Sequence, residues 1–510
     1  MKLGRNILVG IVSSAWTGLV GLLVVPWYLK YLGIENYGLI GFFATTQALL
    51  QLLDMGLAPT MNREIARCVA SGAMGQARNL LHTLAVVYWC SAVLIGLLVY
   101  SIAPFLASHW LQSAAIDSAT LAWSITLMGL VVACKWPVAL YQSALMGMQR
   151  LEISSSISAG MITLGNLGAV AVLAWVSPTV EAFFTWQALS ALAQVAVMRW
   201  AAWRVVGSEG TETFDASLLR RIWRFSAGMS GIAIASILLT QLDKVLLSKL
   251  LSLEDFGKYA LAGVVSSGLY VLLTPVFHVV YPRMASSVAV GNTEDLLFLY
   301  KSGTRLLASV LLPIAITVAL FSEDLVRLWT GDAALSASIA PIVSLLILGT
   351  ACNGIMHFPY ALQLANGVTW LPFTITTILA TCLVPLIILL TLHYGPEGSA
   401  AAWLAVNAIY VFFGTWLTHR ILLKGHGMNW LLYDVGIPMI VSLAVIGTGK
   451  SILPTNNDYL VNLAAACGLG MLAVLANWLA LPNATISRFR QTSFGGATAI
   501  LNPTRTEASK

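Results

Sequence analysis

Apolar stretches of about twenty residues or more recur along the whole chain, and each is long enough to cross the hydrocarbon of a bilayer as a helix. Of 510 residues, 58% are hydrophobic and only 9% charged, where soluble domains carry about 25% charged residues. No aqueous fold hides that much apolar surface, so lipid is the solvent for most of it. The stretches are rich in Leu, Ala, Gly and Val and do not alternate apolar with polar residues, which selects helices over a membrane barrel. The sequence predicts an all-α integral membrane protein with fourteen spans, roughly 8–30, 37–59, 82–107, 119–145, 155–176, 182–202, 226–248, 258–281, 304–328, 335–362, 371–393, 399–419, 430–449 and 459–481. The first carries the Lys2/Arg5 flank of a signal peptide, but it is too long for one and more spans follow, so it is read as uncleaved.

Basic residues orient the chain. With the N-terminus in the cytoplasm, most of the 27 Lys and Arg fall on the inner side, among them Arg63, Arg67, Arg78, Arg150, Arg204, Arg220, Arg283, Arg420 and Lys424. Lys30, Lys249, Lys258, Arg327 and Lys450 fall outside, and Lys135 and Lys244 lie within spans. Both termini are therefore expected inside a cell (inner, cytoplasmic) membrane. The net charge of +6 reflects inner loops facing anionic lipid and calls for no nucleic acid. The six cysteines show no CxxC and there is no His cluster, so neither a disulfide frame nor a metal site is expected.

The chain also repeats itself. Lys30-Tyr31-Leu32-Gly33-Ile34-Glu35-Asn36-Tyr37-Gly38 returns 219 residues later as Lys249-Leu250-Leu251-Ser252-Leu253-Glu254-Asp255-Phe256-Gly257. Lys135-Trp136-Pro137-Val138-Ala139-Leu140 echoes as His357-Phe358-Pro359-Tyr360-Ala361-Leu362, now at an offset of 222. Two matches in the same order imply duplication, and six spans per half return the chain to the same side, giving parallel repeats about an axis along the membrane normal. The expected division is a first lobe 1–205, a linker 206–221, a second lobe 222–425, an added helix pair 426–481 and a polar tail 482–510. The lobes are expected to enclose a central cavity. Outer loops are short and leave no soluble catalytic domain, which weighs against an enzyme.

Positions shared by the halves are expected to serve the fold. In Glu35/Glu254 and Gly38/Gly257, the glycine permits a tight return and the glutamate can cap the next helix. Pro137 and Pro359 are expected to kink their spans, and two residues before each stands a potential cation, Lys135 or His357. A lysine near the bilayer centre costs roughly 2.5–3.5 kcal/mol, so it must face protein or water. Lys135 and His357 are expected to face each other across the cavity and hold an anionic group. The alternative is that Lys135 pairs with a buried carboxylate and His357 is a satisfied interior histidine. Arg63, Arg283 and Arg305, with Arg5, Arg224 and Lys301, can gather an anionic headgroup at the inner mouth or simply snorkel. Gln47 and Gln51 with Asp54 make a polar stripe on span two, which either lines the cavity and meets substrate or hydrogen-bonds helix to helix. Asp243, on one face with Ser236 and Thr240 in span seven, can bind a coupling cation or partner a cavity lysine, and Asp54 is a second candidate for the coupling ion. Asp434 is a further intramembrane acid to which no partner is assigned.

Several motifs point to a family. Leu32-Gly33-Ile34-Glu35-Asn36-Tyr37-Gly38, Asp54-Met55-Gly56-Leu57 with Arg63, Leu145-Met146-Gly147-Met148-Gln149-Arg150, and Asp243-Lys244 before Glu254-Asp255-Phe256-Gly257-Lys258-Tyr259 resemble polysaccharide flippases of the O-antigen (Wzx) type. Those proteins share a superfamily with lipid II flippases and multidrug/toxin extruders. The resemblance implies two six-helix lobes around a cavity and translocation of an undecaprenyl-diphosphate-linked oligosaccharide, with spans thirteen and fourteen accommodating the polyprenyl tail. It implies a monomer without cofactor, working beside a glycan polymerase and a chain-length regulator. The rivals are a multidrug extruder of the same fold, which would favour acidic cavity residues, and a membrane glycosyltransferase, polymerase or ligase, which would need a carboxylate pair or a large outer loop.

Overall fold

A computed structural model describes residues 2–50, 54, 56–114, 116–207, 214–218, 220, 241–453 and 458–480. Part of the expected linker, most of span seven and the polar tail lie outside them. Among the described residues there is helix and no strand, apart from one isolated bridge between Gln112 and Ser252. The helices are α1 Lys2–Leu50, α2 Leu57–Ala70, α3 Met74–Phe105, α4 Ser118–Gly147, α5 Leu151–Trp175, α6 Val180–Val206, α7 241–250, α8 Leu253–Ser267, α9 Tyr270–Ala289, α10 Thr293–Leu320, α11 Ser322–Thr330, α12 Ala333–Ile355, α13 His357–Ala365, α14 Trp370–Ile421, α15 Gly427–Ile452 and α16 Tyr459–Leu479.

Ten helices among the described residues are long and apolar enough to cross a membrane, or eleven if α8 and α9, bent by 41°, make one span. The difference from fourteen has identifiable sources. The 49 residues of α1 run through a non-helical Gly33 (φ 78°) and hold the first expected span with 37–50 of the second, and the 52 of α14 run through Gly395 (φ 59°) and hold two. At about 1.5 Å per residue, a helix as long as α14 is more than twice the roughly 30 Å of hydrocarbon.

The chain divides into two compact units, Met1–Val264 with Val384–Ser399, and Val265–Leu383 with Ala400–Lys510. In the first, α4 packs on α3 and α6, and α5 packs on α1. Its core gathers Met61, Leu84, Tyr88, Tyr141 and Met198. In the second, α10 runs against α12, α15 and α16 around Tyr300, Leu311, Phe358 and Trp430. Asp117 and Asp332 cap α4 and α12, each accepting two backbone N–H groups of the first turn. Hydrogen bonds, from Thr120 above all, hold the exposed Asp117 carboxyl below the ordinary carboxylate range.

The duplication is written into the turns. α2 ends at Ala70 and α9 at Ala289, and two residues beyond each stands a left-handed glycine, Gly72 (φ 71°) or Gly291 (φ 72°). Ser71, Gly72 and Ala73 donate to the Arg67, Val69 and Cys68 carbonyls at 3.0, 3.2 and 2.9 Å. Val290, Gly291 and Asn292 repeat the pattern, donating to the Ser286, Val288 and Ser287 carbonyls at 3.1, 3.1 and 2.9 Å. A glycine closing a helix in this way satisfies carbonyls the last turn would leave orphaned. The turn after α4, with Gln149 at φ 58°, is matched by the turn after α13, with Gly367 at φ 70°. Arg150 donates to the Leu145 carbonyl there at 2.9 Å, and Val368 to that of Gln363 at 3.0 Å.

The repeated outer motif does something other than expected. Its return is made by Gly33, whereas Gly38 is helical and serves close approach: a Cβ on Gly38 would lie 2.1 Å from the Leu253 carbonyl oxygen, and one on Gly257 2.4 Å from that of Ile34. Glu35 reaches across to the loop after α3 and accepts hydrogen bonds there from Ser113 Oγ (2.7 Å) and Ala114 N–H (2.9 Å).

Candidate functional site

Lys135 lies on α4, half-buried, and lines a polar cavity of about 80 Å³ within the first unit. The other walls come from α5 (Gly165, Asn166) and α6 (Gln187, Ser190, Gln194). No carboxylate lines this cavity, and no ion pair among the described residues includes Lys135. The Tyr28 hydroxyl donates to Asn166 Oδ1 at 3.2 Å, and Trp186 Nε1 to the Gly165 carbonyl at 3.1 Å. Ser190 is buried, and its Oγ has no hydrogen-bond partner among the described residues. The sequence reading passed over these polar residues. The available signal was Gln187, Ser190 and Gln194 at i, i+3 and i+7, one helical face inside an apolar run.

His357 stands in different surroundings in the second unit. It opens α13 just after a break at Met356, with Nδ1 3.3 Å from the Asn353 carbonyl oxygen. Its ring centroid lies 6.3 Å from that of Tyr270 and 6.1 Å from that of Phe277. The neighbouring void, about 10 Å³ between Leu273, Phe277 and Phe358, is apolar and at the lower limit for one water. Pro359 is not mid-helix: it sits in the first turn of α13, where a missing N–H costs no helical bond. Pro137 is interior to α4, as expected.

The repeated inner turns also correct the register. Lys135 lies fourteen residues before Gln149, but His357 only ten before Gly367, one helical turn nearer the turn. The residue at the register of Lys135 is Asn353. It is a satisfied neutral amide, accepting from Tyr270 Oη (3.2 Å) and donating to Asn407 Oδ1 (2.9 Å).

Of the acids, Asp243 on α7 is 8% exposed and accepts a hydrogen bond from Tyr259 Oη at 3.1 Å on Oδ2. Its Oδ1 has no hydrogen-bond partner among the described residues. Lys244 donates to Gln241 Oε1 at 3.3 Å. Ser236 and Thr240, expected on the same face, lie outside the described residues, as does Gln51. Asp54 accepts from Ala58 N–H (3.2 Å) in the first turn of α2 and from Tyr88 Oη, so it ties α2 to α3. Gln47 is half-buried on α1.

The mouth arginines separate into distinct environments. Arg63 and Arg67 grip the buried Glu64 at 2.8 and 3.0 Å. Arg283 is exposed on α9. Arg305 on α10 pairs with Asp434 on α15 at 2.7 Å, which supplies the partner the sequence did not reveal for Asp434. Lys301, one turn earlier, approaches His426 Nδ1 at 3.3 Å. The side chains of Arg5 and Arg224 are outside the described set.

Residues 3–288 match the profile of the family described as polysaccharide biosynthesis protein. No curated protein sequence matches the chain. Among solved structures, the chain is similar to the lipid II flippase MurJ in an inward closed conformation, with a TM-score of 0.64, 14% identity, and coverage of 92% of this chain and 98% of that one. An inward-facing multidrug resistance MATE family transporter of the MOP superfamily gives a TM-score of 0.65 at 12% identity, covering 80% and 96%. A MOP superfamily transporter from Pyrococcus furiosus, described by the reverse polarity of its binding pocket, gives 0.54 at 12%, covering 82% and 95%. At these identities the likeness is one of fold: an all-helical transporter fold of the MurJ and MATE kind.

Proposed function

This chain belongs to the polysaccharide biosynthesis protein family, and from that premise we propose that it is a flippase for an undecaprenyl-diphosphate-linked oligosaccharide, an O-antigen or related surface-glycan repeat unit. It moves this substrate from the cytoplasmic to the periplasmic leaflet by alternating access, as a multi-pass inner-membrane protein with both termini in the cytoplasm. The observation that carries the reading is Lys135: an amine on a membrane helix, bordering a polar cavity, with no carboxylate beside it. Such a cation favours an anionic substrate group, and a diphosphate approaching the cavity mouth supplies one. The exposed Arg283 and Arg63 are assigned to gathering the headgroup, with Gln47 beside its route. Asp243 and Asp54 are assigned to the coupling ion. A glycan polymerase and a chain-length regulator are the protein partners that this reading brings in.

The solved flippase of similar fold acts, by its own description, on lipid II, which supports a lipid-linked glycan here. Asp243, a buried acid with an open oxygen, favours a second reading, a cation-coupled multidrug extruder, which the MATE likeness supports. Deleting the gene separates the two. The flippase reading expects lipid-linked glycan stranded on the inner leaflet with drug susceptibility unchanged. Normal surface glycan with heightened sensitivity to organic cations would replace it with the extruder.

A further inference from the structure

The cavity beside Lys135 has a sign and a size. Its one charged wall is an amine, and the remaining donors are the Ser190 hydroxyl and the carboxamides of Asn166, Gln187 and Gln194. The Tyr28 hydroxyl lies 3.1 Å from the Asn166 carbonyl oxygen and 3.2 Å from its Oδ1, which fixes Asn166 at the cavity wall. Ser190 Oγ is buried without a partner, so it has a hydrogen bond to give. What sets Ser190 apart is that its free hydroxyl borders the cavity that Lys135 also lines. Gly165 makes the room: a Cβ there would come 3.6 Å from Gln187 Oε1 and 4.0 Å from Ser190 Oγ, reaching into the space those groups share. At about 80 Å³ the cavity holds a few waters, and it is too small for a diphosphate with its sugar.

We propose that this cavity is a binding site for one small monovalent anion of chloride size, held by Lys135 Nζ, Ser190 Oγ and the surrounding carboxamides. The anion is a removable counter-ion that lets Lys135 stay charged away from bulk water, since a buried ion is tolerated when paired and hydrogen-bonded. The site needs only the cavity; its exchange against a substrate phosphate at the mouth rests on the flippase reading above. Chloride binding is therefore measured on purified full-length protein in detergent, with no glycan present, so its failure leaves the flippase reading standing.

The experiment is radiolabelled chloride binding, with bromide, nitrate, gluconate and inorganic phosphate as competitors at constant ionic strength. Wild type is expected to bind chloride saturably, displaced by bromide and nitrate and not by gluconate. Lys135→Met and Gly165→Val are expected to abolish saturable binding, one by removing the charge and the other by filling the space. Ser190→Ala removes one hydrogen bond to an ion and is expected to weaken binding about tenfold. If Lys135→Met fails to accumulate, Ser190→Ala, which changes one atom, decides the matter. The proposal is overturned if wild type binds no halide saturably, if Ser190→Ala and Gly165→Val bind like wild type, or if only phosphate competes.

Discussion

Gly38 and Gly257, the same position in two copies of one motif, meet backbone against backbone within the first unit: the Gly38 Cβ position is 3.1 Å from Gly257 N, and that of Gly257 is 3.0 Å from Gly38 N. A methyl group on either runs into a carbonyl oxygen that has no rotamer to change. Gly38→Ala and Gly257→Ala are each expected to destabilise by about 1–3 kcal/mol, the usual cost of overpacking. Gly21→Ala, where nothing lies within 4 Å, is the control. Thermal unfolding in detergent checks this, and equal midpoints for all three variants would refute it.

The Arg305–Asp434 pair, with side chains 19% and 4% exposed, is expected to tolerate joint replacement better than single loss. Asp434→Ala leaves an unpaired buried guanidinium, at a cost of about 3–5 kcal/mol, whereas an apolar pair of similar volume is often neutral. Membrane abundance should collapse in Asp434→Ala and recover in Arg305→Met/Asp434→Leu. A double variant as scarce as the single one would show that the charges themselves are required.

Lys135→Ala is expected to abolish surface-glycan display while the protein stays inserted and abundant, with Lys135→Arg retaining part of it. The readouts are glycan on the cell surface and protein in membrane fractions. Full display by Lys135→Ala would remove this residue from transport.

Asp243→Asn keeps shape and removes the charge. Uptake by reconstituted vesicles under imposed proton or sodium gradients is expected to respond to one gradient in wild type and to neither in the variant. Identical responses would exclude Asp243 from coupling.

Much of the fold was legible because membrane helices announce themselves by length and composition, and because the duplication preserved residues at turns. Gly72 and Gly291 stood at the repeat offset in the sequence and fall at the same left-handed turn in the structure. The register of Lys135 was misread for a physical reason: the Trp-Pro and Phe-Pro echo aligns chemistry, while the break at Met356 shifts the second copy by a turn. Asp434 found no partner on paper because helical periodicity gives a residue's face and not what packs on it, and Arg305 belongs to a distant helix. The polar wall around Lys135 escaped notice because Gln and Ser in an apolar helix read as interhelical glue.

The neutral Asn353 stands at the register of Lys135. Two identical chains related by a twofold axis must display every residue in duplicate. A single chain that repeats itself is free of that rule, so it can set a cation, Lys135, in one copy and a neutral amide, Asn353, in the other.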